Sequence, residues 1–253
     1  MRPTRLLLTS GPRPTNIALA LLTLAIATVP ANAQTLEIGG RAGPAITTHA
    51  GDGDADSKLG FSVAGFAGFK LGERVTIYGE LSFVRKGSTN EWAFFFVDPS
   101  ENLVETSFDS SVDLDYLELQ VPVAFLFPTG GKLRPRLYAA PSLAVELGCR
   151  ASLAVRTEVF SPGGVFIESQ ESKFTGDCRD DYEHGVFGGP LFTETKTLDI
   201  GIVFGGGLDL RIGGGALTAD LRYNLGLSDI ADSDATLRNR AFQVLLGYSY
   251  FPR

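Results

Sequence analysis

Eight stretches of the chain alternate apolar and polar residues with a period of two, and the last runs almost to the C-terminus. In that stretch Phe242, Val244, Leu246, Tyr248 and Tyr250 alternate with Ala241, Gln243, Leu245, Gly247 and Ser249. One face is bulky and aromatic; the other is small or polar. A period of two predicts a strand whose two faces meet different surroundings. The same reading predicts strands over 36–46, 59–71, 75–86, 112–127, 133–147, 196–212 and 216–228. The cleanest is 112–127, where Leu117, Leu119, Val121, Val123, Phe125 and Phe127 oppose Glu118, Gln120, Pro122, Ala124 and Leu126.

The connections alternate in length. Gly72-Glu73, 128–132 and Gly213-Gly214-Gly215 are tight turns. The other connections are long or acidic: Gly51 to Asp56, Gly87 to Ser111, Gly148 to Thr195 and Asp229 to Thr236. The segment 87–111, with Trp92 and the Phe94-Phe95-Phe96 run, is expected to form a hairpin of its own. In the longest loop, 153–160 and 165–169 are expected to extend strands beyond a membrane.

The first 33 residues explain the setting. Arg2, Arg5 and Arg13 precede an apolar core over 17–29, and Ala31-Asn32-Ala33 is a small-x-small cleavage site. Residues 1–33 therefore read as a secretory signal peptide and 34–253 as one β domain. The leader holds three of the 22 Lys+Arg and none of the 29 Asp+Glu, so the mature chain carries 19 against 29, a net −10. An acidic exported chain is a poor nucleic-acid binder. The 30 Gly of the full sequence suit β-structure with tight turns, while its 2 His, 1 Met and 1 Trp argue against a His-rich metal protein. Cys149 and Cys178 are expected to pair as a disulfide that ties the longest loop near the rim, since oxidation is normal for exported chains.

Short turns alternating with long loops, on eight strands, are the layout of a transmembrane β-barrel with its turns on the periplasmic side. A soluble barrel puts its apolar face inside; a membrane barrel puts it outside, against lipid. The apolar faces have the 9–11 residues that a membrane crossing takes. Aromatics at their periplasmic ends, Phe69, Phe127, Tyr248 and Tyr250, suit an interface girdle. The polar faces then line the lumen. They carry Glu37, Arg41, Lys70, Glu80, Glu118, Arg134, Arg136, Glu146, Asp199, Asp209, Arg211, Asp220 and Arg222, with the two signs nearly balanced. An eight-stranded barrel is just wide enough to be filled by side chains, and opposite charges packed there satisfy one another. The fold class expected is all-β, an eight-stranded antiparallel transmembrane barrel with a filled, charge-paired lumen.

Asp52, Asp54 and Asp56 begin a calcium-loop spacing, but Ser57 and Val63 stand where Gly and Glu are needed. Gly205-Gly206-Gly207 and Gly213-Gly214-Gly215 lack the helix a phosphate loop opens. No catalytic residue, cofactor or metal is assigned. The histidines, His49 and His184, are the only candidates for a membrane-embedded hydrolase of lipid or peptide.

The run Asp115-Tyr116-Leu117-Glu118-Leu119-Gln120-Val121-Pro122 and the aromatic-ended last strand resemble the outer-membrane β-barrel domain proteins, the porin family, of Gram-negative bacteria. In size and strand count the chain also looks like the membrane domain of outer membrane protein A. The resemblance implies a place in the cell outer membrane and contact with its lipid and lipopolysaccharide. It also implies engagement of the barrel-assembly machinery, which reads a terminal aromatic residue. Here Phe251 is followed by Pro252-Arg253, and the outward register ends on Tyr250. The role expected is non-enzymatic, in membrane integrity or surface interaction through acidic loops. The alternative is a narrow porin for small solutes.

Overall fold

A computed structural model describes residues 36–51, 56–178, 196–231 and 236–252. The leader, 1–33, and the acidic residues Asp180, Asp181 and Glu183 of the longest loop lie outside them. Among the described residues there are ten strands: β1 (Leu36–Gly51), β2 (Asp56–Leu71), β3 (Val75–Val97), β4 (Leu103–Gln120), β5 (Val123–Leu126), β6 (Leu133–Phe160), β7 (Phe166–Asp177), β8 (Leu198–Ile212), β9 (Gly215–Gly226) and β10 (Leu237–Tyr250).

All pairings are antiparallel, and β1 pairs with both β2 and β10, so the sheet closes on itself. Around the ring the order is β1, β2, β3, β4 with β5, β6, β8, β9, β10. That is an eight-stranded barrel, because β4 and β5 are one wall strand broken at Val121-Pro122. Proline has no N–H for the ladder, which is why the break falls there. The carbonyl of Pro122 still accepts the Tyr78 N–H at 2.8 Å.

The alternation holds on every wall strand. The outward positions, from Ile38 to Ile46, Leu59 to Leu71, Val75 to Phe83, Leu117 to Phe127, Leu133 to Leu147, Leu198 to Ile212, Leu217 to Leu227 and Phe242 to Tyr250, carry no charged side chain. Aliphatic and aromatic groups there stand exposed to lipid, as a barrel in hydrocarbon requires. The periplasmic turns are short. At β8–β9, Ile212 pairs with Gly215 and Gly213 takes φ 59°, the left-handed conformation that glycine adopts without strain.

One expectation about loops is corrected and one holds. Segment 87–111 is no separate hairpin: β3 and β4 run on without a break, paired from Lys86↔Leu114 up to Val97↔Leu103. The segments 153–160 and 165–169 extend strands as expected: 148–160 continues β6, paired to β4 as far as Leu103↔Phe160, and β7 adds to its other edge. A four-stranded sheet in the order β3, β4, β6, β7 therefore rises from the barrel wall. At about 3.3 Å per residue, the part of β3 beyond its pairing with β2, residues 90–97, is about 26 Å long.

Candidate functional site

The inward positions build a charged core from the walls. Arg222 on β9 donates from Nη1 to Glu80 Oε1 at 2.5 Å and from Nη2 to Oε2 at 3.0 Å. Its Nε donates to the Tyr138 hydroxyl at 2.8 Å. Arg41 on β1 bonds Glu80 and, at 2.8 Å, Asp220 Oδ2. Arg136 on β6 reaches the same Asp220 oxygen at 2.7 Å and Asp209 Oδ1 at 2.7 Å. Three guanidinium groups thus face three carboxylates, and the tier is neutral. Bidentate arginine–carboxylate pairs are the strong form of such contacts, and neutrality is what burial demands.

Inward glycines make space for the aromatics among these charges. A Cβ on Gly205 would meet the Tyr138 ring at 2.3 Å, and one on Gly68 would meet Tyr78 at 2.5 Å. Arg41 lies 4.4 Å from the centre of the Phe66 ring, itself seated against Gly39. The glycine run at 205–207 is therefore lumen clearance as well as curvature.

Nearer the extracellular rim a second tier is acidic. Lys86 Nζ sits 3.4 Å from Asp199 Oδ2 and 4.0 Å from Glu118 Oε2. Asn239 and Ser228 donate to Asp199 at 2.8 Å each, and Asn224 donates to Glu118 at 2.6 Å. Glu146 is buried in the same register. Lys86 was missed by sequence reading because strand three was expected to end there. Its parity with Glu80 and Ser82 was the available signal.

Of the thirteen lumen charges expected from sequence, ten are buried. Lys70, Arg134 and Arg211 share the inward parity but lie at the periplasmic mouth, with Lys70 and Arg134 half-buried and Arg211 exposed. Alternation tells which face a residue takes, not how deep it sits.

His49 also faces inward and its Nδ1 lies 2.7 Å from the Ser88 hydroxyl. A serine beside a histidine suits a nucleophile and base, but the third group is spoken for. Asp199, the nearby carboxylate, is held by Lys86, Asn239 and Ser228. The arrangement packs the upper lumen. His184 lies outside the described residues.

Cys149 and Cys178 form a disulfide with Cα atoms 5.4 Å apart. A β-bulge makes this possible: Tyr116 pairs Glu146 while Asp115 pairs Gly148, so Leu147 is extra and Cys149 turns inward. The bridge packs on Leu114, Tyr116 and Ile230 where the extracellular sheet leaves the barrel.

Above the bridge the sheet is amphipathic. Its face continuous with the lumen carries Trp92, Phe94, Phe96, Phe108, Leu153 and Phe174, with Trp92 stacked on Phe108 at 5.2 Å. Its other face carries Glu91, Glu105, Asp109, Asp113, Glu158 and Glu171 against Arg150, Arg156 and Lys173. At the outer edge of the lipid-facing band stand Lys196, Arg238 and Arg240, all exposed, with Lys196 and Arg238 in electrostatic range of Asp229.

Among solved structures, similar chains include Neisserial surface protein A, at 15% identity over 86% of this chain and 97% of that one, TM-score 0.41. The attachment invasion locus protein Ail of Yersinia pestis is 13% identical over 85% of this chain and 99% of that one, TM-score 0.34. No curated protein sequence matches the chain significantly. The family model described as "Outer membrane protein beta-barrel domain" matches residues 32–232. A closed eight-stranded barrel with an uncharged outer face, matched over that span, belongs to the outer membrane protein β-barrel domain family of the Gram-negative cell outer membrane.

Proposed function

We propose that the chain is a non-conducting, non-enzymatic barrel whose membrane part anchors the extracellular sheet for surface contact. The observation that carries this reading is the neutral tier of Arg41, Arg136 and Arg222 with Glu80, Asp209 and Asp220. These side chains come from β1, β3, β6, β8 and β9 and meet in the middle of the barrel. An ion would have to break several buried charge pairs to pass, which disfavours a narrow porin.

Outer-membrane lipid, including lipopolysaccharide, is the surrounding partner in this reading. Lys196, Arg238 and Arg240 support it, since they sit where lipid phosphates meet the outer edge of the apolar band. Engagement of the barrel-assembly machinery is supported by the outward aromatics Tyr248 and Tyr250 on the final strand. The acidic outer face and aromatic inner face of the sheet offer two chemically different contact surfaces beyond the membrane.

Planar-bilayer recording of the refolded mature chain tests the reading. Silence is expected from protein whose gel mobility confirms folding. Stable, reproducible current steps would move the assignment to the narrow porin.

A further inference from the structure

The charge along the lumen is uneven. The upper tier sets Lys86 against Asp199, Glu118 and Glu146, and the middle tier is neutral. The periplasmic mouth is basic: Lys70, Arg134 and Arg211 lie within electrostatic range of one another and of Glu37. Among the described residues none of the three side chains makes an ion pair or a hydrogen bond, while Asp209, the next carboxylate inward, is taken by Arg136. Glu37 accepts the Tyr78 hydroxyl at 3.2 Å. Among the described residues, with Asp209 paired to Arg136, three cations face one carboxylate, an excess of two positive charges at the mouth.

Two further features frame this spot. The Phe251 ring lies 4.7 Å from Lys70 Nζ and 5.6 Å from the Arg211 guanidinium. Lys70 and Arg211 are the last residues but one of β2 and β8, which stand four places apart in the eight-membered ring, so Phe251 reaches across the opening. In the same rows, the Thr76 and Ser249 hydroxyls are fully buried with no hydrogen-bond partner among the described residues. Thr76 is the register partner of Lys70, and Ser249 stands in the row Arg211–Ala216–Ser249. Buried hydroxyls without partners are rare and call for one.

We propose that the periplasmic mouth is a binding site for a phosphate-type oxyanion, held by Lys70, Arg134 and Arg211 beside Phe251. A dianion cancels the excess charge. Guanidinium forks match its oxygens, and Thr76 and Ser249 are donors on its inner side. The chemistry fits free inorganic phosphate and the phosphate of an anionic inner-leaflet phospholipid alike. The site does not depend on the lumen being closed.

The test uses the full mature chain and phosphorus NMR in two arms. In one, inorganic phosphate is titrated into protein in phosphate-free maltoside micelles. In the other, the protein sits in phosphatidylcholine nanodiscs with or without phosphatidylglycerol. Saturable binding in the first arm identifies the free ion as ligand; binding confined to phosphatidylglycerol identifies the headgroup. In either case Arg134→Gln with Arg211→Gln should weaken binding roughly tenfold or more, and Lys173→Gln on the extracellular sheet should not. Heat-modifiable migration confirms that each variant is folded. No saturable binding in either arm, or unchanged binding by the folded double variant, overturns the proposal. Failure of the closed-lumen reading would show separately, as conductance.

Discussion

Arg222 and Glu80 stand on opposite walls of the barrel and meet in its middle, at 2.5 and 3.0 Å. β3 and β9 are four places apart in a ring of eight, so this pair spans the diameter of the lumen. Both side chains are almost fully buried, and Arg41 and Tyr138 complete their contacts. Removing one partner from such a pair leaves an uncompensated buried charge, the costly case.

Lys86 is the cation of the upper tier, between Asp199 and Glu118 and 4.9 Å from the Tyr116 ring. Lys86→Met leaves two buried carboxylates facing each other with only amide and hydroxyl donors. We expect a loss of about 3–5 kcal/mol. Urea unfolding in lipid vesicles measures it, and a change within about 1 kcal/mol would mean the tier is more hydrated than its burial implies.

The outward face is uncharged, and Leu221 lies midway along its strand with more than half its side chain toward lipid. Leu221→Arg should destabilise the folded barrel by about 2–4 kcal/mol in the same assay. A neutral outcome would mean that this face is not in hydrocarbon.

The Cys149–Cys178 bridge holds β7, which among the described residues pairs only with β6, at the base of the sheet. The bridge is 29 residues apart in sequence, and its loss should cost about 2–4 kcal/mol on the chain-entropy account. The effect should be local. Cys149→Ser with Cys178→Ser should speed protease cleavage within 161–178 while the barrel keeps its heat-modifiable migration. Non-reduced mass spectrometry of the wild type should show the cross-linked peptide; two alkylatable thiols would contradict it.

Two loop aspartates set an acid response. Asp98 accepts the N–H groups of Ser100 and Asn102, and Asp229 accepts those of Ala231 and Leu237. These bonds hold both carboxyls below the ordinary aspartate range. A lowered pKa gives stability that is present above the unfolded value, near 3.8, and is lost as pH falls through the folded value. Amide exchange at Asn102 and Leu237 should therefore accelerate on acidification below that point, with the barrel amides unchanged. Asp98→Asn should show faster exchange at neutral pH and a weaker acid response.

Much of this was legible in the sequence, for a physical reason. A strand between lipid and a packed lumen must alternate, so Phe242 to Tyr250 and Leu117 to Phe127 declared their faces at once. The pattern failed where surroundings stop being two-sided. Phe94-Phe95-Phe96 breaks the alternation because the upper sheet is apolar on both faces near its tip, where Val97, Leu103, Phe160 and Phe166 line up in register. The third strand therefore looked as if it ended near Lys86, while 153–160 still read as a strand extension. The bulge at Leu147 inverts the parity of all that follows it on β6, which no count by twos foresees. Axial depth was hidden for the same reason: Arg134 and Arg136 share a face, yet one is at the mouth and the other buried.

The claim that opposite walls are joined by charge is tested most directly by a double-mutant cycle on Arg222→Met and Glu80→Gln, measured by unfolding in bilayers. Each single change should be costly and the pair together less so than their sum, with a coupling energy of at least about 1.5 kcal/mol. Effects that add to within about 0.5 kcal/mol would mean the two side chains do not meet, and would contradict a charge-paired lumen.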